Sequence, residues 1–271
     1  MTRALKKMPT PMGIGAGQTA SVNLPIGLTY QRLYIRCNYN DGIIDVDVPV
    51  TDWGDVIEEI RLMVNGDAEI TMDAADIAKL NNYYGQSMVA GALPLFLGRP
   101  WMLTAGGQDQ TAYGTVGMQS FTLEMDIKAG AEINSLLVYA NQSAATPWGP
   151  HIKVRKYSRT QGVTGEAEID GIARGEYGMF AMHIGTAQIG GVEVLTNQRK
   201  VYDADKAIRD AHADVAGRVP QANMTHIDLV PENRITEALP MNVQDFRVAL
   251  DFEATGSFPI YVEGIEGAMP S

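Results

Sequence analysis

IRLMVNGDAEITMDAADIAKLNNYYG, residues 60–85, contains the signal that decides the fold. Ile60, Leu62 and Val64 sit at alternate positions in a strand-like run, 58–64. From Asp73 to Tyr84 the spacing changes: Ile77, Leu80 and Tyr84 fall on one side of a helix that opens on aspartate and stops before Gly85. The same order recurs in VEVLTNQRKVYDADKAIRDAHADVAG, residues 192–217. There Ala204, Ile208, Ala211 and Val215 give helical spacing from Asp203 to Ala216, just before Gly217. An offset of 132 residues lays Asn65 on Asn197, Asp73 on Asp205 and Gly85 on Gly217.

A second correspondence, offset by 125, lays FTLEMDIKAGAEINSLLVYA (121–140) on FRVALDFEATGSFPIYVEGI (246–265), with Asp126 on Asp251 and Ala129 on Ala254. Identity is low, so the shared order of strand, helix and paired terminal strands carries the inference of an internal duplication. Other strand-like runs lie at 18–24, 29–37, 93–97, 119–127 and 133–139, then at 151–157, 177–184, 191–196, 223–229, 245–252 and 258–263. Phe121, Leu123, Met125 and Ile127 alternate with Thr122, Glu124 and Asp126, as in an antiparallel sheet with one buried face. The expectation is an all-β chain of two tandem antiparallel β-sandwiches, a double jelly roll, each with one inserted helix. TPWGP (146–150) marks the boundary, giving an N-terminal arm at 1–16, a first jelly roll at 17–146 and a second at 147–271.

The 271 residues suffice for such cores, and 45% hydrophobic with 20% charged residues is an ordinary globular balance. No run of about 18 apolar residues is present to cross a bilayer as a helix, and the basic N-terminus followed by prolines does not read as a signal peptide. The single cysteine, Cys37, lies in a strand-like run and reads as a buried, inert thiol, which fits a reducing cytosol. A net charge of −11 opposes indiscriminate nucleic-acid binding. That charge is segregated: residues 1–40 hold Arg3, Lys6, Lys7, Arg32 and Arg36 and no acid.

Chemical motifs are few. GIGAG (13–17) has the glycines of a phosphate loop, but no strand precedes it, no helix follows, and the Gly-Lys-Ser/Thr of a Walker loop is missing. It reads as a flexible lead-in to a strand. His151, His183, His212 and His226 show no metal-site spacing and read as surface or interface residues, which argues against a cupin-type metal enzyme. No G-x-S-x-G elbow occurs, so no catalytic residue and no cofactor site is assigned. The acidic stretch DGIIDVDVPVTDWGDV (41–56) offers Asp41, Asp45 and Asp47 as candidate ligands for a structural calcium, although the order is not that of an EF-hand and a solvated loop accounts for it as well. Trp53, Trp101 and Trp148, each beside or near glycine or proline, read as packing under loops.

GQTASVNLPIGLTYQRLYIR (17–36) and GTVGMQSFTLEMDI (114–127) resemble the major capsid proteins of corticoviruses, tailless icosahedral phages with an internal membrane. Weaker similarity runs through EYGMFAMHIG (176–185) to IYVEGIEG (260–267), and Leu24-Pro25-Ile26-Gly27 and Gly114-Thr115-Val116-Gly117 are the most specific anchors. The loops, 41–56 included, do not match, so receptor-facing features and calcium sites do not carry over. The resemblance implies a structural, non-enzymatic role in the virion shell, reached from the host cytoplasm. It further implies homotrimers of pseudo-hexagonal outline, neighbouring capsomers, a penton protein and an internal viral membrane or its proteins as partners, with no sequence-specific nucleic acid. In that setting Arg3, Lys6 and Lys7 are expected to form a membrane-facing arm. A glycan-binding or adhesive double β-sandwich is the alternative.

Overall fold

The computed structural model describes residues 3–267; Met1 and Thr2 of the expected arm and the last four residues of the expected second jelly roll lie outside the described residues. The chain divides into two compact units, Met1–Arg155 and Lys156–Ser271. In the first unit the elements run β1 (Ala4–Lys7), β2 (Thr19–Asn23), β3 (Thr29–Asn40), β4 (Asp45–Asp47), α1 (Trp53–Val56), β5 (Ile57–Val64) and β6 (Asp67–Asp73). They continue with α2 (Ala74–Tyr83), β7 (Ala92–Phe96), α3 (Ala105–Gln110), β8 (Tyr113–Gly114), β9 (Phe121–Ile127) and β10 (Glu132–Ser143). β11 (His151–Gln161) begins in the first unit and ends in the second. The second unit follows with β12 (Gly165–Ile169), β13 (Tyr177–Ile184), β14 (Ile189–Thr196), β15 (Arg199–Asp205) and α4 (Lys206–Val215). It closes with β16 (Thr225–Asp228), a 3-10 turn at Ile235–Glu237, β17 (Leu239–Pro240), β18 (Phe246–Phe252) and β19 (Gly256–Glu266).

Each unit is a two-sheet sandwich, and the strand orders correspond. The first unit pairs β1-β10-β3 with β7, β4 and β8 also on β3, and sets against this a sheet of order β2-β9-β5-β6. The second pairs β11-β19-β13-β16 and sets against it β12-β18-β14-β15. Alternation explains the one-faced strands: in β9 Phe121, Leu123, Met125 and Ile127 are buried between half-exposed neighbours. β13 is buried along its whole length, so its sequence YGMFAMHI is apolar almost without interruption.

The duplication is visible in one repeated device. Asn65 and Gly66 form a two-residue hairpin turn with left-handed backbone (φ 52° and 92°), the geometry that Asn-Gly favours. Asn65 Oδ1 accepts hydrogen bonds from the amides of Gln119 (2.7 Å) and Ser120 (3.1 Å), tying the turn to the approach to β9. In the second unit Asn197 Oδ1 accepts from Gln244 (2.9 Å) and Asp245 (3.1 Å) before β18. The turn residues obey the 132-residue offset and their partners the 125-residue offset. In the second turn Gln198 (φ 67°) stands where the first has glycine.

Several expectations are corrected. The arm at 1–16 contains β1, paired antiparallel with Tyr139–Gln142 of β10 at a sheet edge. A four-residue strand with three of its residues exposed leaves no alternation for a sequence to show. The glycine-rich lead-in is a tight turn: Met12 bridges Ser21, and a Cβ at Gly13 (φ +80°) would lie 2.7 Å from the Thr19 carbonyl oxygen. The second helix starts after Asp205, whose carboxylate accepts from the Ile208 amide at 2.9 Å; Asp203 belongs to β15. The first unit also has α1 and α3 in addition to its inserted helix.

Candidate assembly surfaces

The residues singled out for site chemistry do not gather in one place. Arg3 meets Asp109 at 3.6 Å across two exposed side chains, while Lys6 and Lys7 project from β1 opposite Ala140 and Tyr139. Asp41 Oδ1 accepts from the amides of Ile43 and Ile44, both at 2.9 Å, and these bonds hold its carboxyl below the usual range. Asp47 meets Arg36 at 2.6 Å and Asn38 at 3.2 Å, and the guanidinium bond likewise lowers its pKa. Asp45 accepts from Asn40 (3.1 Å) and Asn134 (3.2 Å). Asn134 also donates to Asn38, so an amide network links Asp45 to Asp47 beside a cavity of about 360 Å³, and Asp41 remains in its own turn.

The histidines depart from expectation. His151, His183 and His226 are buried, and only His212 is exposed. His151 Nε2 lies 3.1 Å from Glu69, which Lys153 also reaches at 3.1 Å. Burial would raise the Glu69 carboxyl, but the His151 bond and the Lys153 charge outweigh it and leave the pKa lowered. His183 and His226, opposed in the register of β13 and β16, share an Nδ1···Nδ1 contact of 2.8 Å. Desolvation, then His183, pushes the His226 pKa well down. One imidazole must donate and the other accept, so the accepting ring is neutral. The apolar setting of MFAMHI signals a buried histidine, but nothing in sequence order announces its partner 43 residues away. The tryptophans pack as expected: Trp53 is fully buried, Trp101 stacks on Tyr84 at 4.4 Å and Trp148 on His151 at 3.9 Å. Cys37 is buried too, and desolvation pushes its thiol up to about 12.

The unusual surface of the second unit is α4. Among its residues only Arg209 and Ala213 are buried. Ile208 (60% exposed), His212 and Val215 (90%) form an outward stripe at spacings of four and three residues, and Val219 (46%) is exposed beyond the helix end. The helix is held by Arg209, which donates to the carbonyls of Ile189 (2.6 Å), Gly190 (3.1 Å) and Ala204 (3.2 Å). Beside the stripe a groove of about 370 Å³ is lined by Val201, Ala204, Ile208 and His212 with Asp203 at its rim. The counterparts in α2 of Ile208, His212 and Val215 are Asp76, Leu80 and Tyr83, all buried, with α1 packed on that helix.

Residues 5–143 match the family model of the viral coat protein P2 N-terminal domain, and residues 152–268 match that of its C-terminal domain. The chain belongs to the viral coat protein P2 family. The major capsid protein P2 of Pseudoalteromonas phage PM2 is 25% identical over 262 residues, covering 92% of each chain. The crystal structure of the PM2 capsid protein superposes with a TM-score of 0.87 at 24% identity, over 99% of this chain and 98% of that one. More distant folds agree: the STIV MCP has a TM-score of 0.71 at 11% identity over 98% and 97% of the two chains. The PBCV-1 virus capsid model has 0.63 at 9% over 97% and 93%. The corticovirus resemblance read from residues 17–36 and 114–127 therefore holds, and so does the double jelly roll. As a P2-family coat protein the chain is a structural capsid component of a bacteriophage virion and not an enzyme. Its functional surfaces are those by which copies meet.

Proposed function

We propose that this coat protein assembles as a homotrimer of pseudo-hexagonal outline, and that such trimers tile an icosahedral shell around an internal membrane, with a penton protein at the vertices. The observation that carries the reading is the correspondence of the two sandwiches in strand order and in the Asn65 and Asn197 turn clamps. Three copies of a chain with two equivalent wedges supply six, and closure about a threefold axis needs only one repeated head-to-tail contact. Arg3, Lys6 and Lys7 are the residues offered to anionic headgroups in this reading, although their place on an edge strand makes them available to an acidic protein surface too. Light scattering of the purified protein tests the proposal. A mass three times that of the chain is expected; a stable monomer that binds a polysaccharide would favour the adhesive module instead.

A further inference from the structure

We propose that the groove between β15 and α4 of one copy receives strand β1 of the next copy, a contact that rests on the trimer reading and specifies its interface. The duplicated strand order supplies the first argument. β6 does not end its sheet, because Val154 of β11 joins Ile70 in parallel. β15 is the counterpart of β6, and among the described residues no strand pairs with its outer edge. β1 is the counterpart of β11, and its outer edge is likewise open among the described residues. The second unit thus offers a place for a strand, and the first unit offers a strand with one free edge. Unpaired edges invite pairing of this kind.

Charge supplies the second argument. β1 carries Lys6 and Lys7 beside Arg3 within a forty-residue segment free of acid. Asp203 and Asp228 line the groove and no lysine or arginine does, although Lys200 pairs with Asp203 and Arg218 with Asp228. The pairing already made within the first unit has the same polarity, since β11 brings Lys153 to Glu69 of β6. Apolar surface is matched as well: Leu5 is 63% exposed on β1, and Val201 and Ile208 line the groove. A contact from β1 of one copy to β15 of the next is heterologous and so repeats around a ring.

Engineered cross-linking tests it. Cysteines replace Leu5 or Lys7, combined in turn with cysteines at Val201 or Asp203. All four positions are exposed, and the native Cys37 is fully buried. Under mild oxidation, at least one double variant should give disulfide-linked dimers and trimers, with the ladder ending at three, while each single variant gives none. Trimers by light scattering without cross-links in any of the four combinations would overturn the docking and leave the trimer intact. Monomers would overturn both. The Lys6→Glu, Lys7→Glu double variant distinguishes a lipid from a neighbouring copy. Loss of trimer supports the docking; unchanged trimer mass with lost binding to phosphatidylglycerol vesicles would assign β1 to lipid and refute it.

Discussion

Replacing Arg209 by Met removes the attachment of α4 while keeping much of the side-chain volume. The helix buries only Arg209 and Ala213, so apolar packing contributes little to holding it. The guanidinium donates to three carbonyls, two at the start of β14 and one near the end of β15. Hydrogen bonds from a charged donor contribute about 1.5–3 kcal/mol each. Their sum is reduced by the cost of desolvating the guanidinium, which burial shows by lowering its pKa. A net loss of about 3 kcal/mol is the expected balance, near the lower end for breaking a buried charged interaction. At roughly 4 °C per kcal/mol for a unit of this size, the melting temperature should fall by about 12 °C. Hydrogen exchange of the α4 amides should accelerate by about two orders of magnitude, because each tenfold corresponds to about 1.4 kcal/mol. Circular dichroism melting with exchange mass spectrometry reads both. A melting temperature within 2 °C of wild type, a shift of roughly 0.5 kcal/mol, together with unchanged α4 protection would refute the idea that Arg209 anchors the helix.

Gln198→Gly relieves a left-handed turn position and should stabilise by about 1 kcal/mol, read as a raised urea midpoint. Asn65→Ala and Asn197→Ala each leave two backbone amides without their Oδ1 acceptor and force alanine into left-handed backbone; each should cost about 2–3 kcal/mol in the same assay. The lowered pKa of His226 means that the unfolded chain binds its proton more readily than the fold does. Its contribution is therefore complete above an unfolded pKa of about 6.5 and is lost as pH falls towards the folded value, at no more than about 1.4 kcal/mol per pH unit. Melting temperatures between pH 4 and 8 should show this acid limb, and His226→Gln should flatten it.

The parts of the fold legible in sequence were those in which burial has a period. β9 declares itself through Phe121, Leu123, Met125 and Ile127, and α2 through Asp73 and Gly85 at its ends. β1, β12 and β15 are exposed at alternate or most positions and lie at sheet edges, so no apolar stripe betrays them. Asp203 misled the start of α4 because both it and Asp205 are plausible caps, and only the side chain of Asp205 reaches Ile208. The assembly surface was partly legible. Segregation of basic residues in the first forty was visible, but the partner proposed for it rests on the outer edge of β15, unpaired among the described residues, which is a property of tertiary topology. The histidine pair was hidden for the same reason, since strand register brings His183 to His226.

The antiparallel pairing of Ala4 with Gln142 has a consequence for the order of events during synthesis. Strand β1 leaves the ribosome well before its only sheet neighbour among the described residues, β10, which is the last strand of that sheet to be made. At about 5–20 residues per second, β1 waits roughly 7–28 s for β10. A long apolar strand left open for that interval would be exposed to other nascent chains. The sequence ALKK is short, polar and positively charged, and lysine on an unpaired strand discourages promiscuous pairing. The same lysines thereby disfavour pairing of β1 with other nascent chains until the strand that completes its sheet has emerged.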